Sequence, residues 1–258
     1  MVRGLDIFRT HFADHADQYV LIGGTAATLA MERAGLEFRA TKDLDIVLYI
    51  EALRPEFGAV FWSFVEAGGY EVRQAGVSGK PVFYRFQKPA NPRFPAMLEL
   101  FCRVPNGIKL AEGSHLTPIP IDEAVASLSA ILLDEAYYLF ILAGRREADG
   151  LPWVGEDRLI PLKASAWLDL GERQARGEPV DSKNIRKHAN DVLRLSQLLA
   201  PELRIAVAPR IANDLNRFLD GIKADRSIDP RSIGFNSSVA EIGERIALVY
   251  ELTRRQET

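Results

Sequence analysis

Residues 19–50 read YVLIGGTAATLAMERAGLEFRATKDLDIVLYI, and this stretch decides the fold. Four apolar residues from Tyr19 predict a strand, and Gly23-Gly24-Thr25 predicts a turn. A short helix is expected to follow and to end near Gly35, before a second strand that begins at Asp43. This order of elements places polar side chains at the ends of apolar strands.

Asp43 and Asp45 stand two positions apart at the start of that second strand. Because successive side chains of a strand point to opposite faces, both carboxylates are expected on one face, with Leu44 turned into the core. Two like charges held this close repel each other, and a divalent cation relieves the repulsion. Carboxylate oxygens favour Mg²⁺ (or Mn²⁺), which also binds the phosphates of a substrate. We therefore predict a metal site on Asp43 and Asp45.

Gly23, Gly24 and Thr25 supply the complementary half of such a site. Backbone without Cβ can approach a phosphate closely, and the following helix offers unpaired N–H groups at its positive end. A nucleoside triphosphate would lie between the glycines and the aspartates. A Gly-Gly turn is often only a turn, and an Asp-x-Asp pair is often a solvated strand edge. Their separation of about twenty residues, enough for one helix and a return, favours the functional interpretation.

Composition limits the class of protein. A length of 258 residues suffices for one large domain or two small ones. The net charge of −3 argues against a broadly basic nucleic-acid binder but leaves room for a local basic patch. The single cysteine, Cys102, cannot form an internal disulfide, which is typical of a reducing cytoplasm. No run of about eighteen apolar residues occurs, so no membrane span is predicted and a cytoplasmic location is expected.

The rest of the chain predicts an α+β protein with a mixed sheet flanked by helices, followed by a helical part. Strands are expected over residues 70–75, 81–87 and 96–103, with a turn at 76–79 and a connector over 104–121. From residue 122 the pattern becomes helical, with a loop at 151–159 and Pro161 as the first residue of a helix. Another helix is expected over 183–199, after a cap at Asp181 or Ser182.

Glu99 lies amid apolar neighbours in one of these strands. A carboxylate in a buried strand needs a partner or a metal ion. Without a metal, a nearby arginine such as Arg85 would be its partner.

Gly23-Gly24-Thr25, followed by Arg39-x-Thr41-x-Asp43-Leu44-Asp45, resembles the signature of the nucleotidyltransferase superfamily of the DNA polymerase β type. The wording is similar to that of AbiEii-like toxins from type IV toxin–antitoxin systems. The resemblance continues at Lys163 and at Lys187-His188-Ala189-Asn190-Asp191-Val192, where His188 and Asn190 depart from the family's usual residues. It implies a nucleotidyltransferase domain in residues 1–121 and a helical domain in residues 122–258 that completes the active site.

The resemblance implies an enzyme of the EC 2.7.7 type that moves a nucleotide from an NTP to an acceptor hydroxyl. The implied catalytic residues are Asp43, Asp45, Lys163 and Asp191, with the last either near the attacking group or orienting the lysine. The implied nucleotide-binding residues are Gly23, Gly24, Thr25, Arg39 and Lys163. Glu99 would be the third carboxylate beside Asp43 and Asp45, around two metal ions about 3.5–4 Å apart.

The acceptor that the resemblance implies is an RNA end, most plausibly a tRNA, and it raises a cognate antitoxin as a partner. Basic residues that would line a local phosphate track are Arg73, Arg85, Lys88, Arg93, Lys183, Arg186 and Lys187, although such charges can equally form a solvated face. Two alternatives stay open. One is a small-molecule nucleotidyltransferase, for example of an aminoglycoside, and the other is a scaffold of this type that binds without catalysis.

Overall fold

The computed structural model of the protein describes residues 2–49, 54–72, 83–101 and 134–253. The chain divides into two compact units. Unit 1 comprises Met1–Ile121 and Leu142–Gly155, and unit 2 comprises Asp122–Ile141 and Glu156–Thr258. The predicted boundary between residues 121 and 122, the turn at 76–79 and the connector at 104–121 lie outside the described residues.

Unit 1 contains a mixed sheet, which has seven strands within the described residues. The strands are β1 (Tyr19–Ile22), β2 (Asp43–Leu48), β3 (Glu71–Val72), β4 (Phe83–Gln87), β5 (Met97–Phe101), β6 (Arg145–Ala148) and β7 (Leu151–Val154). Their order across the sheet is β3-β4-β5-β2-β1-β7-β6. The β2–β5 and β1–β7 pairs are parallel, and the β1–β2, β3–β4, β4–β5 and β6–β7 pairs are antiparallel.

Three α-helices belong to unit 1: α1 (Leu5–His11), α2 (Gly23–Arg33) and α3 (Pro55–Gly68). A 3-10 helix at Ala13–Gln18 leads from α1 into β1. Phe8 on α1 and Phe64 on α3 meet edge to face with ring centroids 5.5 Å apart, and Phe8 packs in the same way on Tyr19 of β1. All three rings are buried, so this aromatic cluster fixes α1 and α3 onto one face of the sheet.

Unit 2 is helical in its described residues. Its α-helices are α4 (Glu135–Ala143, which reaches two residues into the Leu142–Gly155 segment), α5 (Glu156–Ala175), α6 (Ser182–Leu195), α7 (Pro209–Ala224) and α8 (Val239–Val249), and short 3-10 helices span Ser196–Leu198 and Pro230–Ile233. Asp181 caps α6 by accepting a hydrogen bond from the Lys183 backbone N–H, as predicted. The α+β class, with a mixed sheet flanked by helices and a helical C-terminal part, is confirmed.

The segment after residue 144 differs from the prediction. Residues 151–154, expected in a loop, form β7, which lies between β1 and β6. The sequence signal is weak because Pro152 cannot donate to a strand ladder. The structure accommodates it because β7 meets β1 over a short length, with Leu21 opposite Trp153, while Pro152 lies opposite Glu147 of β6.

Helix α5 also begins earlier than predicted, at Glu156, so Pro161 lies inside it. A proline there lacks the N–H that would bond to the carbonyl four residues earlier. That carbonyl belongs to Asp157, and it accepts a hydrogen bond from the buried hydroxyl of Tyr250 (2.7 Å). Tyr250 therefore satisfies the backbone group that Pro161 leaves free.

Among the described helices, none is both long enough and apolar enough to cross a lipid bilayer.

Candidate functional site

The candidate site of unit 1 lies where β1, β2 and β5 run side by side. Asp45 of β2 lies opposite Ile22 of β1 and opposite Glu99 of β5. Directly paired residues of neighbouring strands project from the same face, so Asp45 and Glu99 face the same side of the sheet. Asp43 lies two residues before Asp45 on that face, opposite Met97. The predicted carboxylates thus share one face.

Gly23 lies against the Asp45 carboxylate. A Cβ atom at Gly23 would be 1.7 Å from Asp45 Oδ2, well inside any van der Waals contact. Gly23 also has φ +66°, a left-handed conformation that glycine adopts at little cost. Both features require glycine at the first residue of α2. The carboxylate consequently lies beside the end of the helix whose first N–H groups have no partner within the helix.

Gly24 is covered by the loop before β2. A Cβ atom at Gly24 would lie 2.5 Å from the Thr41 hydroxyl oxygen and 3.8 Å from Arg39 Nη2. The Arg39 guanidinium lies 5.3 Å from the centroid of the Phe38 ring. Arg39, predicted to stabilise negative charge, is therefore placed beside the glycine turn. Thr41 was not a predicted site residue, although it stands two positions before Asp43 in the Arg-x-Thr-x-Asp motif.

Thr25 fastens α2 to β2. Its side chain is fully buried, and its hydroxyl donates to the Asp43 backbone oxygen (2.7 Å). One turn later, the Thr28 hydroxyl donates to the Gly24 carbonyl (3.1 Å). The Thr25 hydroxyl therefore fixes the start of β2 against the start of α2, where the sequence predicted that Thr25 would bind nucleotide.

Glu99 is held by an arginine of the neighbouring strand. Arg85 of β4 lies opposite Glu99, donates from Nε to Glu99 Oε1 (2.7 Å) and brings Nη2 within 2.5 Å of the same oxygen. Glu99 is 8% exposed. Burial raises the pKa of its carboxyl well above the usual range, the neighbouring Asp45 raises it further by charge and by a shared hydrogen bond, and Arg85 lowers it in part.

The side chains of Asp43, Asp45 and Glu99 do not converge as a ready ligand set. Within the described residues, no group of three or more His, Cys, Asp or Glu side chains has the arrangement of a metal site. The Arg85–Glu99 pair accounts for this, because one Glu99 oxygen already accepts two guanidinium N–H groups.

Lys163 and Asp191 form a second group, in unit 2. Lys163 of α5 donates to Asp191 Oδ2 of α6 at 2.8 Å. The lysine is 6% exposed and the aspartate is fully buried. The structure thus brings these two predicted residues together, 28 positions apart in the chain. Pairing with the lysine is the geometry expected of an aspartate that orients it.

The exposed face of α6 is basic. Lys183, Arg186 and Lys187 are exposed and stand three and four residues apart, so they share one side of the helix. The one acidic residue of this helix, Asp191, points instead into the buried pair with Lys163. The helix therefore presents positive charge to solvent.

No protein-family model matches the chain, and no curated protein matches it. Among solved structures, the crystal structure of the Megavirus polyadenylate synthase shares 11% sequence identity with it, at a TM-score of 0.38. That similarity covers 86% of this chain and 36% of the synthase chain, so the chain spans just over a third of the solved protein. A likeness this low does not establish a shared fold.

Proposed function

We propose that the chain is a metal-dependent nucleotidyltransferase, which moves a nucleotide from an NTP to an acceptor hydroxyl. The observation that carries the proposal is the contact between Gly23 and Asp45, where a Cβ atom would lie 1.7 Å from the carboxylate. It puts a metal-binding group directly beside a helix N-terminus. These are the two components that an NTP with its bound cation requires.

The residues of unit 1 fit a divalent cation. Asp43 and Asp45 lie on one face of β2, and Asp45 has a second carboxyl, that of Glu99, next to it. Carboxylates brought this close are stabilised by a cation. Asp43 and Asp45 would hold the ion. When bound, Mg²⁺ or Mn²⁺ would lower the pKa of the acceptor hydroxyl and balance charge on the leaving pyrophosphate.

The side chains and backbone of unit 1 would position the nucleotide. In the proposed reaction the acceptor oxygen attacks the α-phosphorus, the bond to the bridging oxygen of the β-phosphate breaks, and the hydroxyl proton is released to water. The backbone of Gly23 and Gly24 would contact the phosphates, and the adjacent Arg39 guanidinium would stabilise charge that spreads over the transferring group. Thr25 would keep β2 and α2 in register for this work.

Lys163 and Asp191 complete the proposal. A lysine buried against a carboxylate is held in one conformation, which suits a residue that must meet a triphosphate at a fixed place. We assign Lys163 to the triphosphate and Asp191 to orienting the lysine.

RNA is the proposed acceptor, and a tRNA end the favoured one. The basic face of α6, with Lys183, Arg186 and Lys187, supports a polyanionic acceptor in a protein whose net charge is −3. Binding that depends on such a face weakens as salt rises. In keeping with the AbiEii-like motifs, the proposed biological role is that of a toxin restrained by a cognate antitoxin.

The test is incubation of the protein with Mg²⁺, total cellular RNA and each α-³²P-labelled NTP in turn, beside the Asp45→Asn variant. Asp149→Asn, which changes an exposed carboxylate of unit 1, is the matched control. We expect label in small RNA with the wild type and with Asp149→Asn, and none with Asp45→Asn.

A second arm replaces RNA with small-molecule hydroxyl acceptors, including aminoglycosides. Label in that arm alone would replace the RNA acceptor with a small molecule. Failure to bind Mg²⁺ and every NTP, measured by calorimetry, would overturn the enzyme proposal and leave a non-catalytic scaffold. Growth arrest on induced expression of the wild type, absent for Asp45→Asn, is the expected result for a toxin.

A further inference from the structure

Arg85, Glu99 and Asp45 form one row across three neighbouring strands. In the register of the sheet, Arg85 lies opposite Glu99, and Glu99 lies opposite Asp45. The side chains of Arg85 and Glu99 are 12% and 11% exposed, so their pair is largely removed from water. The Glu99 carboxyl accepts from the guanidinium at one end of the row and shares a hydrogen bond with the Asp45 carboxyl at the other.

This row decides which carboxylates are available to a cation. Glu99 Oε1 already accepts Arg85 Nε at 2.7 Å and has Nη2 within 2.5 Å, and the Asp45 bond engages the carboxyl a second time. Among the described residues, Asp43, Asp45 and Glu99 do not form a three-ligand group. Buried charges are retained when each is paired, and here the guanidinium already neutralises Glu99.

We infer that Arg85 is a positioning residue, which holds Glu99 as a hydrogen-bonding support for Asp45 and keeps it from ligating metal. This inference rests on the proposed function. The protein then presents the two charges of Asp43 and Asp45, which one divalent ion neutralises. Before nucleotide binds, the site takes a single ion, where a site of three free carboxylates would take two.

Charge and shape at residue 99 separate the two arrangements. Glutamine in place of Glu99 keeps an oxygen for Arg85 and offers an N–H to Asp45, so it preserves the support. Alanine removes both contacts. A supporting group of this kind, when lost, weakens metal binding by about tenfold or more. A direct carboxylate ligand, in contrast, is not replaced by glutamine.

The experiment is calorimetric titration of the nucleotide-free protein with Mn²⁺, with circular dichroism to check that each variant folds. We expect one ion for the wild type, one ion with nearly unchanged affinity for Glu99→Gln, about tenfold weaker binding for Glu99→Ala, and loss of binding for Asp45→Asn. Arg85→Met alone would strand a buried carboxylate, so Arg85 is tested in the double variant R85M/E99Q. This variant should bind about as weakly as Glu99→Ala, because nothing then anchors residue 99.

Two results would overturn the positioning role: two ions in the wild type with one lost in Glu99→Gln, or equal affinities of R85M/E99Q and Glu99→Gln. Either result leaves the nucleotidyltransferase proposal standing. If the wild type binds neither Mn²⁺ nor any NTP, the proposed function itself fails.

Discussion

Gly23 sets how closely Asp45 can approach the start of α2. In Gly23→Ala the new methyl group would collide with Asp45 Oδ2, and alanine would be strained at φ +66°. We expect the carboxylate to shift by about 1 Å and nucleotide transfer to fall by roughly a hundredfold, since misplacement on that scale costs about that much. The measurement is the rate of NTP incorporation, with the melting temperature measured in parallel.

Gly35→Ala is the matched control. Gly35 has φ +71°, nearly the same backbone conformation, and no atom lies within 4 Å of the Cβ position there. It therefore carries the conformational cost without the collision. Equal losses of activity in the two variants would show that backbone strain, and not the Asp45 contact, explains the effect.

The Asp43–Asp45 pair and the position of Glu99 differ in how far sequence predicts them. Alternation within one strand is local, so the shared face of Asp43 and Asp45 follows from a spacing of two. The meeting of Glu99 with Asp45 depends on the register between β2 and β5, which lie some fifty residues apart in the chain and which no local pattern fixes. Arg85 could be named as a partner for Glu99, but its contact depends on register in the same way.

At the scale of elements, the Lys163–Asp191 pair joins α5 to α6. Lys163→Met leaves a fully buried carboxylate without its lysine, and we expect a loss of about 3–5 kcal/mol in the free energy of unfolding. The double variant K163M/D191N removes both charges and should regain most of that stability. Urea unfolding followed by circular dichroism is the measurement.

Activity of the double variant distinguishes a functional pair from a structural one. The proposed function requires K163M/D191N to be folded and inactive, so a folded and active double variant would remove Lys163 from the site. Arg9→Met serves as the comparison for an exposed ion pair. Arg9 and Asp6 are 38% and 65% exposed, and breaking that pair should change stability by about 1 kcal/mol or less.

Elements were predictable where their signals are local. The strand, turn, helix and strand of residues 19–50 carry their own glycines and alternation, and β1, α2 and β2 lie where these signals place them. Strands β6 and β7 carry weak signals, since β7 is four residues long and contains Pro152. Its place in the sheet comes from tertiary packing, with Leu151, Trp153 and Val154 buried.

For the molecule as a whole, buried phenols predict loss of stability in alkali. Burial raises the pKa of Tyr19, Tyr70, Tyr137 and Tyr250 above the usual value of about 10. Above that pH the unfolded chain releases these protons while the folded chain keeps them. The free energy of unfolding should therefore fall as pH rises above about 10, by about 1.4 kcal/mol per pH unit for each such phenol.

Tyr19→Phe tests this origin, because the Tyr19 hydroxyl is buried and has no hydrogen-bond partner among the described residues. Its removal should lessen the alkaline slope without loss at pH 7. Tyr70→Phe should lessen the slope too but cost about 1 kcal/mol at pH 7, since that hydroxyl donates to the Pro95 carbonyl at 2.7 Å. Urea titrations at several pH values compare the variants, and an unchanged slope in both would assign the alkaline loss to other groups.

The interleaved path of the chain also bears on how the protein is made. On the ribosome, β1 emerges early, but its parallel neighbour β7 lies roughly 130 residues later, which takes on the order of ten seconds or more to synthesise. For that time one side of β1 is an open edge, and an open edge is a template for pairing with another nascent chain. Shielding of this edge by a chaperone, and not the speed of helix formation, would then limit the yield of native protein.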